Sequence, residues 1–418
     1  MPGLYCGIDF GTSNSTIGLA DATSAWLIPL EDQHVTLPSA VFWETDHASP
    51  EFGRAAIATY IEGHDGRLIR GLKSTLGSAL IEERTRIGSR AIAFRDLLGR
   101  FFGHLKQQLD RQTGGSIDRV VLGRPVHFID DDTAADARAQ SVLQDIALAQ
   151  GFREVAFQYE PIAAALNYEQ GITAEELVLI VDIGGGTSDF SIVRVSPARA
   201  HLSDRSADIL ANDGIRLGGT DFDRLLSLAE VMPQLGYLAS TGGGRGLMPR
   251  HYYHDLATWH RINSLYTQRC MADLKAMRPD VDRPELIDRM VHVIAKRHGH
   301  SLAMAVEAAK IALSDSEAVR LGLSAFTGGP NPMVSRVRLD EAVAAPAQRI
   351  SGMLHSVLSQ AGVKASDLGT VFMTGGSSGL PVLRATVAAS LPGVVIATGD
   401  MLGSVGTGLA LEGRRRFA

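Results

Sequence analysis

Two short segments of the 418-residue chain share one pattern, in which an aspartate stands directly before a turn rich in glycine and hydroxyl side chains. The first is "CGIDFGTSNSTIGLA", residues Cys6 to Ala20, and the second is "LVLIVDIGGGTSDFSIVRV", residues Leu177 to Val195. Asp9 and Asp182 hold the same place in the two segments, and apolar runs flank both turns. This repeat predicts two related lobes, each presenting one acidic hairpin, with a cleft between them.

The residue types in these two turns are suited to phosphate. Glycines at position 11 and at positions 184–186 let the backbone come close to a ligand, and successive N–H groups then form an anion-binding concavity. The turns also carry short donors: Thr12, Ser13, Asn14, Thr187 and Ser188. A carboxylate alone would repel phosphate, whereas Mg²⁺ binds through one or two carboxylates, waters and phosphate oxygens. We therefore expect Asp9 and Asp182 to position a hydrated Mg²⁺; the alternative is two ordinary hairpin turns, in which Asp, Asn and Gly are also common.

Other nucleotide-binding motifs are absent from the sequence, which contains neither G-x-x-x-x-G-K-[ST] nor G-x-G-x-x-G. A third glycine-rich stretch, "MTGGSSGLPVLR", follows a predicted strand at 370–374 and precedes a predicted helix at 381–390. Its run from Gly375 to Gly379 matches the nucleophile elbow of serine hydrolases, but that class needs a later histidine and none follows His355. The turn is therefore predicted to serve the phosphate or the sugar of a nucleotide.

The composition is that of a globular protein, with 45% hydrophobic and 21% charged residues. The formal net charge of −6 does not indicate a basic surface that would bind nucleic acid. No apolar run approaches the ~18 residues of a membrane helix, and no targeting pattern opens the sequence. The two cysteines, Cys6 and Cys270, are too few and too far apart for a disulfide framework or a zinc site. These features predict a cytoplasmic protein whose partners include neither nucleic acid nor membrane.

Six segments together carry a family resemblance: "GIDFGTSNS", "YEPIAAALNYEQG", "VDIGGGTSDFS", "LGGTDFD", "VEAAKIALS" and "MTGGSSGLPVLR". In this order and spacing they resemble the ATPase domain of the seventy-kilodalton heat-shock chaperones, the DnaK type, along nearly the whole chain. The resemblance implies an α/β chain with the actin-like ATPase fold, in which two related lobes, each with a mixed sheet and inserted subdomains, hold ATP and Mg²⁺ in the cleft between them. It places lobe I at 1–171 with a C-terminal helix at 402–418, and lobe II at 172–401. The inserted subdomains are expected at 39–111 and 229–314.

The same resemblance implies roles for the matched residues. Asp9, Asp182 and Asp189 would hold Mg²⁺ with its waters. The phosphates would be held by Thr12, Ser13, Asn14, Gly184, Gly185, Gly186 and Thr187, with Gly218 and Gly219 closing over them and Gly375, Gly376 and Ser377 completing the nucleotide site. The catalytic residues would be Lys73, Glu160 and Asp182. Glu160 would help to organise the attacking water, and Lys73 of "RGLKSTLG" would lie near the transferred phosphate. The match around Lys73 is short, so an exposed lysine without a role is the alternative.

On the adenosine side the sequence departs from the family. Glu307, Lys310 and Ser314 match the helix that contacts ribose and purine, and their spacing predicts one helical face. Ile311 and Gly379 stand where the chaperones have two arginines that stack on adenine. A cation over a ring contributes roughly 0.5–2 kcal/mol, so losing both would weaken nucleotide binding by on the order of tenfold to a thousandfold unless other groups compensate.

Two further segments differ from the main chaperones. The last matched segment, "GSVGTGLALEG", stands near the end of the sequence, so the family's linker, peptide-binding β-sandwich and helical lid are expected to have no counterpart. The stretch "MPRHYYHDLATWHRINSLY", Met248 to Tyr266, resembles the short YegD-like members. Its three histidines could suggest a metal site, but Leu256, Trp259 and Ile262 favour the apolar face of one helix.

The sequence thus predicts a Mg²⁺-dependent, ATP-binding protein that hydrolyses ATP slowly to ADP and phosphate and uses no metal beyond Mg²⁺. The alternative is a nucleotide-gated interaction module with little turnover, which would present a surface to a protein partner or co-chaperone. A small-molecule kinase or a filament former shares the fold but matches the motifs less well.

Overall fold

The computed structural model describes residues 3–129, 132–169, 171–200, 202, 204–398 and 403–418. The strands are β1 Tyr5–Phe10, β2 Asn14–Ala20, β3 Ala25–Leu27, β4 Thr36–Pro38, β5 Ala40–Glu44, β6 Glu51–Phe52, β7 Gly66–Arg70, β8 Arg84–Ile87, β9 Arg90–Ala93, β10 Arg119–Arg124, β11 Glu154–Tyr159, β12 Glu176–Ile183, β13 Ser188–Val195, β14 Ile209–Ile215, β15 Ser240–Thr241, β16 Gly246–Leu247, β17 Ala318–Arg320, β18 Met333–Ser335, β19 Leu368–Thr374 and β20 Val395–Thr398. The helices are α1 Gly53–Ile61, α2 Phe94–Thr113, α3 Thr133–Ala149, α4 Glu160–Glu169, α5 Gly219–Leu226, α6 Arg250–Leu256, α7 Gln268–Met277, α8 Pro284–Ala295, α9 Gly299–Ala312, α10 Ser324–Thr327, α11 Arg336–Ala361, α12 Pro381–Ser390 and α13 Ser404–Phe417.

The chain divides into two compact units. The first consists of Met1–Arg216, Gly352–Ser378 and Ala388–Ala418, and the second of Leu217–Ser351 and Gly379–Val387. The predicted lobe boundaries and inserted subdomains stay predictions. Residues 401 and 402, at which lobe II was expected to end and the C-terminal helix to begin, lie outside the described residues.

Two mixed sheets of the first unit repeat one topology. The strand order is β3-β2-β1-β10-β11 in one sheet and β14-β13-β12-β19-β20 in the other. In each path the first three strands are antiparallel neighbours, and the last three run parallel. The central hairpins also share a register, because Asp9 faces Thr16 and Asp182 faces Asp189. The repeat therefore extends over five strands, which confirms the predicted α/β chain with two related mixed sheets.

Apolar packing covers both faces of the central strands. The sequence of β12, "ELVLIVDI", is almost continuously apolar, as expected for a strand buried on both faces. One buried cluster combines side chains of β10, α4, β12, β13, β19 and α13, among them Ile162, Val178 and Leu409. A second cluster packs β1 and β2 against α2 and α3. The helix α2 contributes Phe101 and Phe102 to it, and this helix ends where Gly114 adopts a left-handed conformation with φ 65°.

The C-terminal helix α13 lies unusually close to its neighbours because small residues face it. A Cβ atom built on Gly408 would overlap with the backbone oxygen of Ala163 in α4. A Cβ atom on Gly18 in β2 would likewise overlap with the backbone oxygen of Gly406. These contacts place the backbones of α13, α4 and β2 at a separation that only glycine allows, and they fix the helix on the sheet.

The second unit is mainly helical, with the small hairpins β15-β16 and β17-β18. Its buried side chains include Phe222, Tyr253 and Met290. The prediction that Leu256, Trp259 and Ile262 lie on the apolar face of one helix is wrong: α6 ends at Leu256, and a separate 3₁₀ segment covers Trp259–Leu265. The break lies at Thr258, whose backbone is extended (φ −114°, ψ 107°) and whose hydroxyl donates to His254 O at 2.7 Å.

In the part of the chain that the structure describes, no helix is both long enough and apolar enough to cross a membrane.

We expect Gly408→Ala to lower the free energy of unfolding by about 1–3 kcal/mol, because the added methyl group overpacks the contact with Ala163. Gly352→Ala is the matched control, since Gly352 also lies inside a helix but its Cβ would meet no atom within 4 Å. That control should stabilise the protein by about 0.5–1 kcal/mol through helix propensity. Urea unfolding of both variants measures the difference, and equal effects of the two substitutions would contradict the packing argument.

Candidate functional site

The loops of the two acidic hairpins lie in contact within the first unit. A Cβ atom built on Gly185 would overlap with Ser13 Oγ, so glycine at 185 permits the two loops to meet. The second loop is closed by the N–H of Gly184, which donates to Thr187 O at 2.9 Å. In the first loop a Cβ atom on Gly11 would overlap with Asn14 O. The predicted phosphate residues of both loops are therefore brought together, with their backbones close to each other.

The glycine-rich turn after β19 joins the second hairpin. Gly375 has φ 82°, and a Cβ atom there would overlap with Asp182 Oδ1. The hydroxyl of Ser377 donates to Gly184 O at 3.2 Å. Gly376 begins the 3₁₀ turn Gly376–Gly379. The helix predicted at 381–390 follows directly as α12, so this strand, turn and helix have the predicted arrangement.

Lys73 and Glu160 form an ion pair, although 87 positions separate them in the sequence. Lys73 Nζ lies 2.6 Å from Glu160 Oε1, and the two side chains are 11% and 17% exposed. Glu160 is the first residue of α4, directly after β11. Lys73 stands in the 3₁₀ turn Leu72–Thr75, which follows Gly71 with φ 68°. The alternative of an exposed lysine is therefore wrong, because Lys73 is largely shielded from solvent and contacts a carboxylate.

The carboxylates around this pair resist ionisation. Partial burial and then the charge of Glu160 raise the pKa of Asp9 to about 7, against the opposing effect of Lys73. Partial burial and then the charge of Asp189 raise the pKa of Asp182 to about 8. Burial lowers the pKa of Lys73, but the charges of Glu160 and Asp9 outweigh it, so the net shift is upward and the ammonium stays charged. The site therefore favours an added proton or cation at neutral pH.

The donor set fits a hydrated divalent cation better than a protein cage. Among the described residues, no group of three histidine, cysteine, aspartate or glutamate side chains could hold a metal ion directly. Mg²⁺ keeps several waters and binds through one or two carboxylates together with phosphate oxygens. Asp9 and Asp182 supply such carboxylates. Asp189, opposite Asp182 in the hairpin, accepts a hydrogen bond from Thr187 Oγ1 at 3.0 Å.

Ser39 was not found by the sequence reasoning, yet it holds the loop of the first acidic hairpin. Its hydroxyl donates to Gly11 O at 2.7 Å, and its backbone N–H donates to Ser13 O at 2.8 Å. Ser15 Oγ lies 3.0 Å from the same hydroxyl. Ser39 stands between β4 and β5, where no motif marks it, so only the tertiary contact identifies it.

The remaining predicted residues belong to the second unit. Gly218 precedes α5, and its N–H donates to Asp221 Oδ2 at 3.1 Å. Lys310 is buried, donates to Gly219 O at 3.2 Å and pairs with Asp223 Oδ1 at 2.8 Å. Asp223 is the partner that the sequence reasoning missed, although it stands inside the matched motif "LGGTDFD".

The structure corrects one prediction on the adenosine side. Helix α9 ends at Ala312, so Ser314 lies in the following turn, where its N–H donates to Ile311 O at 3.0 Å. The single helical face predicted for Glu307, Lys310 and Ser314 is therefore wrong for Ser314. Arg336 stabilises this turn by donating to Leu313 O at 2.8 Å.

We expect the stability of the nucleotide-free protein to fall as the pH rises from about 4 to about 8. The folded state keeps a proton on Asp9 up to about pH 7 and on Asp182 up to about pH 8, whereas an unfolded aspartate releases it near pH 4. The folded state therefore binds more protons across this window, and stability declines with pH. Asp182→Asn should make the decline shallower, whereas Asp46→Asn at an exposed position should not.

Urea unfolding in EDTA at several pH values measures this slope. A slope of Asp182→Asn equal to that of the unsubstituted protein would contradict the raised pKa of Asp182.

Comparisons with known proteins agree with this geometry. The family model described as Hsp70 protein matches residues 73–231 and 288–392, which is more than half of the chain. The chaperone protein HscA of Salmonella typhimurium is 25% identical over 404 residues, covering 92% of this chain and 53% of HscA. HscA of Citrobacter koseri and of Klebsiella pneumoniae are each 26% identical, over 408 and 413 residues, with the same coverage. The chain thus spans about half the length of the curated relatives it matches.

The family match confirms the resemblance drawn from the six sequence segments, and the repeated mixed sheets are consistent with the actin-like ATPase fold. The chain belongs to the Hsp70 family.

Proposed function

We propose that this chain binds ATP together with Mg²⁺ and hydrolyses it slowly to ADP and phosphate. The observation that carries the proposal is the meeting of two acidic hairpin loops beside the part-buried Lys73–Glu160 ion pair. Membership of the Hsp70 family supports nucleotide binding. The relatives named above are chaperone proteins, which supports a chaperone-like role for the whole protein.

In this proposal, Asp9 and Asp182 hold Mg²⁺ through its waters, and Asp189 supports that water network. The raised pKa values of Asp9 and Asp182 favour the proposal, because two carboxyls that retain protons at neutral pH gain most from a cation. When bound, Mg²⁺ neutralises charge on the phosphate oxygens and orients them. Because the cation replaces protons, Mg²⁺-linked nucleotide binding should release protons at neutral pH.

Backbone and short side chains would hold the phosphates. The two loops that lie in contact carry Gly184, Gly185 and Gly186 together with the side chains of Thr12, Ser13, Asn14 and Thr187. Gly375, Gly376 and Ser377 join them through the bond from Ser377 to Gly184. Gly218 and Gly219 are proposed as further phosphate contacts.

Lys73 and Glu160 are proposed to act on the reacting groups. The carboxylate of Glu160 would accept a hydrogen bond from a water and orient it toward the terminal phosphate. The ammonium of Lys73, already charged beside Glu160, would stabilise the negative charge that develops on the transferred phosphoryl group. The 2.6 Å separation of the two side chains keeps the cation and the water-orienting carboxylate in one place.

The adenosine contacts are proposed for Glu307, Lys310 and Ser314. Ile311 is 60% exposed on α9, so this position offers no cation to stack on a base. We propose that the affinity for adenine is weaker than stacking arginines would give. The cytoplasmic location, the YegD-like subgroup and a co-chaperone or other protein partner also stay proposals.

We expect Lys73→Ala and Glu160→Gln to lower ATP turnover by about a hundredfold or more, because each removes a group that acts only in the transition state. Lys364→Ala, at an exposed position, should leave turnover unchanged. Single-turnover hydrolysis with purified protein measures the rates, and thermal unfolding of each variant separates lost folding from lost chemistry. Unchanged turnover in both site variants would remove the proposed roles.

Titration calorimetry with ATP, ADP and GTP, with and without Mg²⁺, tests binding separately. Tight binding of Mg²⁺ and ATP without turnover would favour the nucleotide-gated interaction module. No binding at millimolar nucleotide would overturn both functions.

We expect Ile311→Arg to strengthen ADP binding by about 2- to 30-fold, because it supplies a cation where the family stacks one on adenine. Met304→Arg is the control, since Met304 is 38% exposed on the same helix, about two turns away. The measurement is the dissociation constant for ADP and for GDP in each variant. Equal gains from both arginines would point to general charge attraction rather than stacking.

A further inference from the structure

A hollow of about 620 Å³ in the second unit is lined mainly by cationic and imidazole side chains. Its volume lies in the range of small-molecule sites. It is formed by the histidine-rich stretch that the proposed function does not use, together with the last turn of α5. The charged and titratable side chains that line it are Arg224, His251, His254, Asp255, His260 and Arg261.

The one carboxylate among these lining residues is already neutralised. Asp255 Oδ1 lies 2.8 Å from Arg261 Nε, and Asp255 is 14% exposed at its side chain. Arg224 has no ion-pair partner within the described part of the chain, so no carboxylate neutralises its positive charge. The hollow therefore carries an excess of positive charge even when all its histidines are neutral.

Metal binding does not explain the cluster. The three histidines and Asp255 form no group that could hold a metal ion within the described residues. Two guanidinium groups that line the same hollow would also repel a cation. The imidazole N–H groups and the guanidinium groups are instead hydrogen-bond donors, and donors with positive charge recognise oxyanions.

We propose that this hollow binds the phosphoryl group of a small anionic ligand. A guanidinium presents its donors in a planar fork that matches two oxygens of one phosphoryl group, which suits Arg224 and Arg261. The exposed His251 and His260 stand at the same hollow as further donors. The site uses none of the residues assigned to nucleotide, so it stands whether or not the proposed function holds.

The wall that carries Arg224 is fixed in place. Asp223, its neighbour in α5, pairs with Lys310 at 2.8 Å, and the N-terminus of the same helix is capped by Asp221. On the other wall, the hydroxyl of Thr258 donates to His254 O, and the ring of His254 stands edge-on to Tyr237 at 5.8 Å. The backbone segments that carry the donors are therefore held before a ligand arrives, which lowers the entropy cost of binding.

The test is titration calorimetry of the full chain with inorganic phosphate and with pyrophosphate, in EDTA so that no Mg²⁺-linked binding contributes. Phosphorus NMR of the same solutions gives a second measure. We expect Arg224→Gln and Arg261→Gln each to weaken binding by about tenfold or more. Arg250→Gln, an exposed arginine of α6 that does not line the hollow, should leave binding unchanged.

Three results would overturn the proposal. The first is no binding of either probe at millimolar concentration. The second is binding that survives both glutamine variants of the hollow, or that is lost equally in Arg250→Gln. The third is equal affinity for succinate, which would show that the hollow does not select a phosphoryl group. Arg224→Gln should leave the binding of ADP with Mg²⁺ unchanged, and this separates the hollow from the proposed nucleotide site.

Discussion

The first unit brings several carboxyl groups close together, and the nearby cationic side chain does not neutralise all of their negative charge. Asp9, Asp182, Asp189 and Glu160 lie close enough to raise one another's cost of ionisation, and Lys73 offsets only part of it. Ionising a carboxyl group whose surroundings raise its pKa lowers the stability of the folded state. In the proposed function, a hydrated cation with its phosphate would relieve the repulsion among these carboxylates.

Close backbone approach is the second constraint, and glycine meets it in two places. In the loops, glycine at 185 lets the second hairpin reach Ser13. Between α13 and α4, glycine at 408 lets two helices pack backbone to backbone. The two uses are linked, because α4 begins with Glu160. The helix packing that excludes a methyl group therefore also fixes the position of a carboxylate in the site.

Elsewhere in the first unit, buried charged side chains are neutralised by ion pairs with one another. Arg205 and Glu169 are each 2% exposed at the side chain and pair at 2.8 Å, and Asp208 accepts from the same arginine. Glu169 is the last residue of α4, and Glu160 is the first residue of the same helix. Removing one member of such a buried set leaves an unpaired charge, which costs more than the pair contributes. The charges at one end of α4 are thus compensated, whereas Glu160 at the other end is proposed to act on the reacting groups.

The sequence alone determined the local features: the repeated acidic hairpins, the strand, turn and helix around Gly375, and the class of the fold. These follow from apolar periodicity and from glycine, whose effects act within a few residues. Only the tertiary structure decided that Lys73 pairs with Glu160, that Ser39 anchors the first loop, and that Ser314 lies beyond its helix. Such contacts join distant parts of the chain, so they depend on how whole sheets and helices pack, which no local spacing encodes.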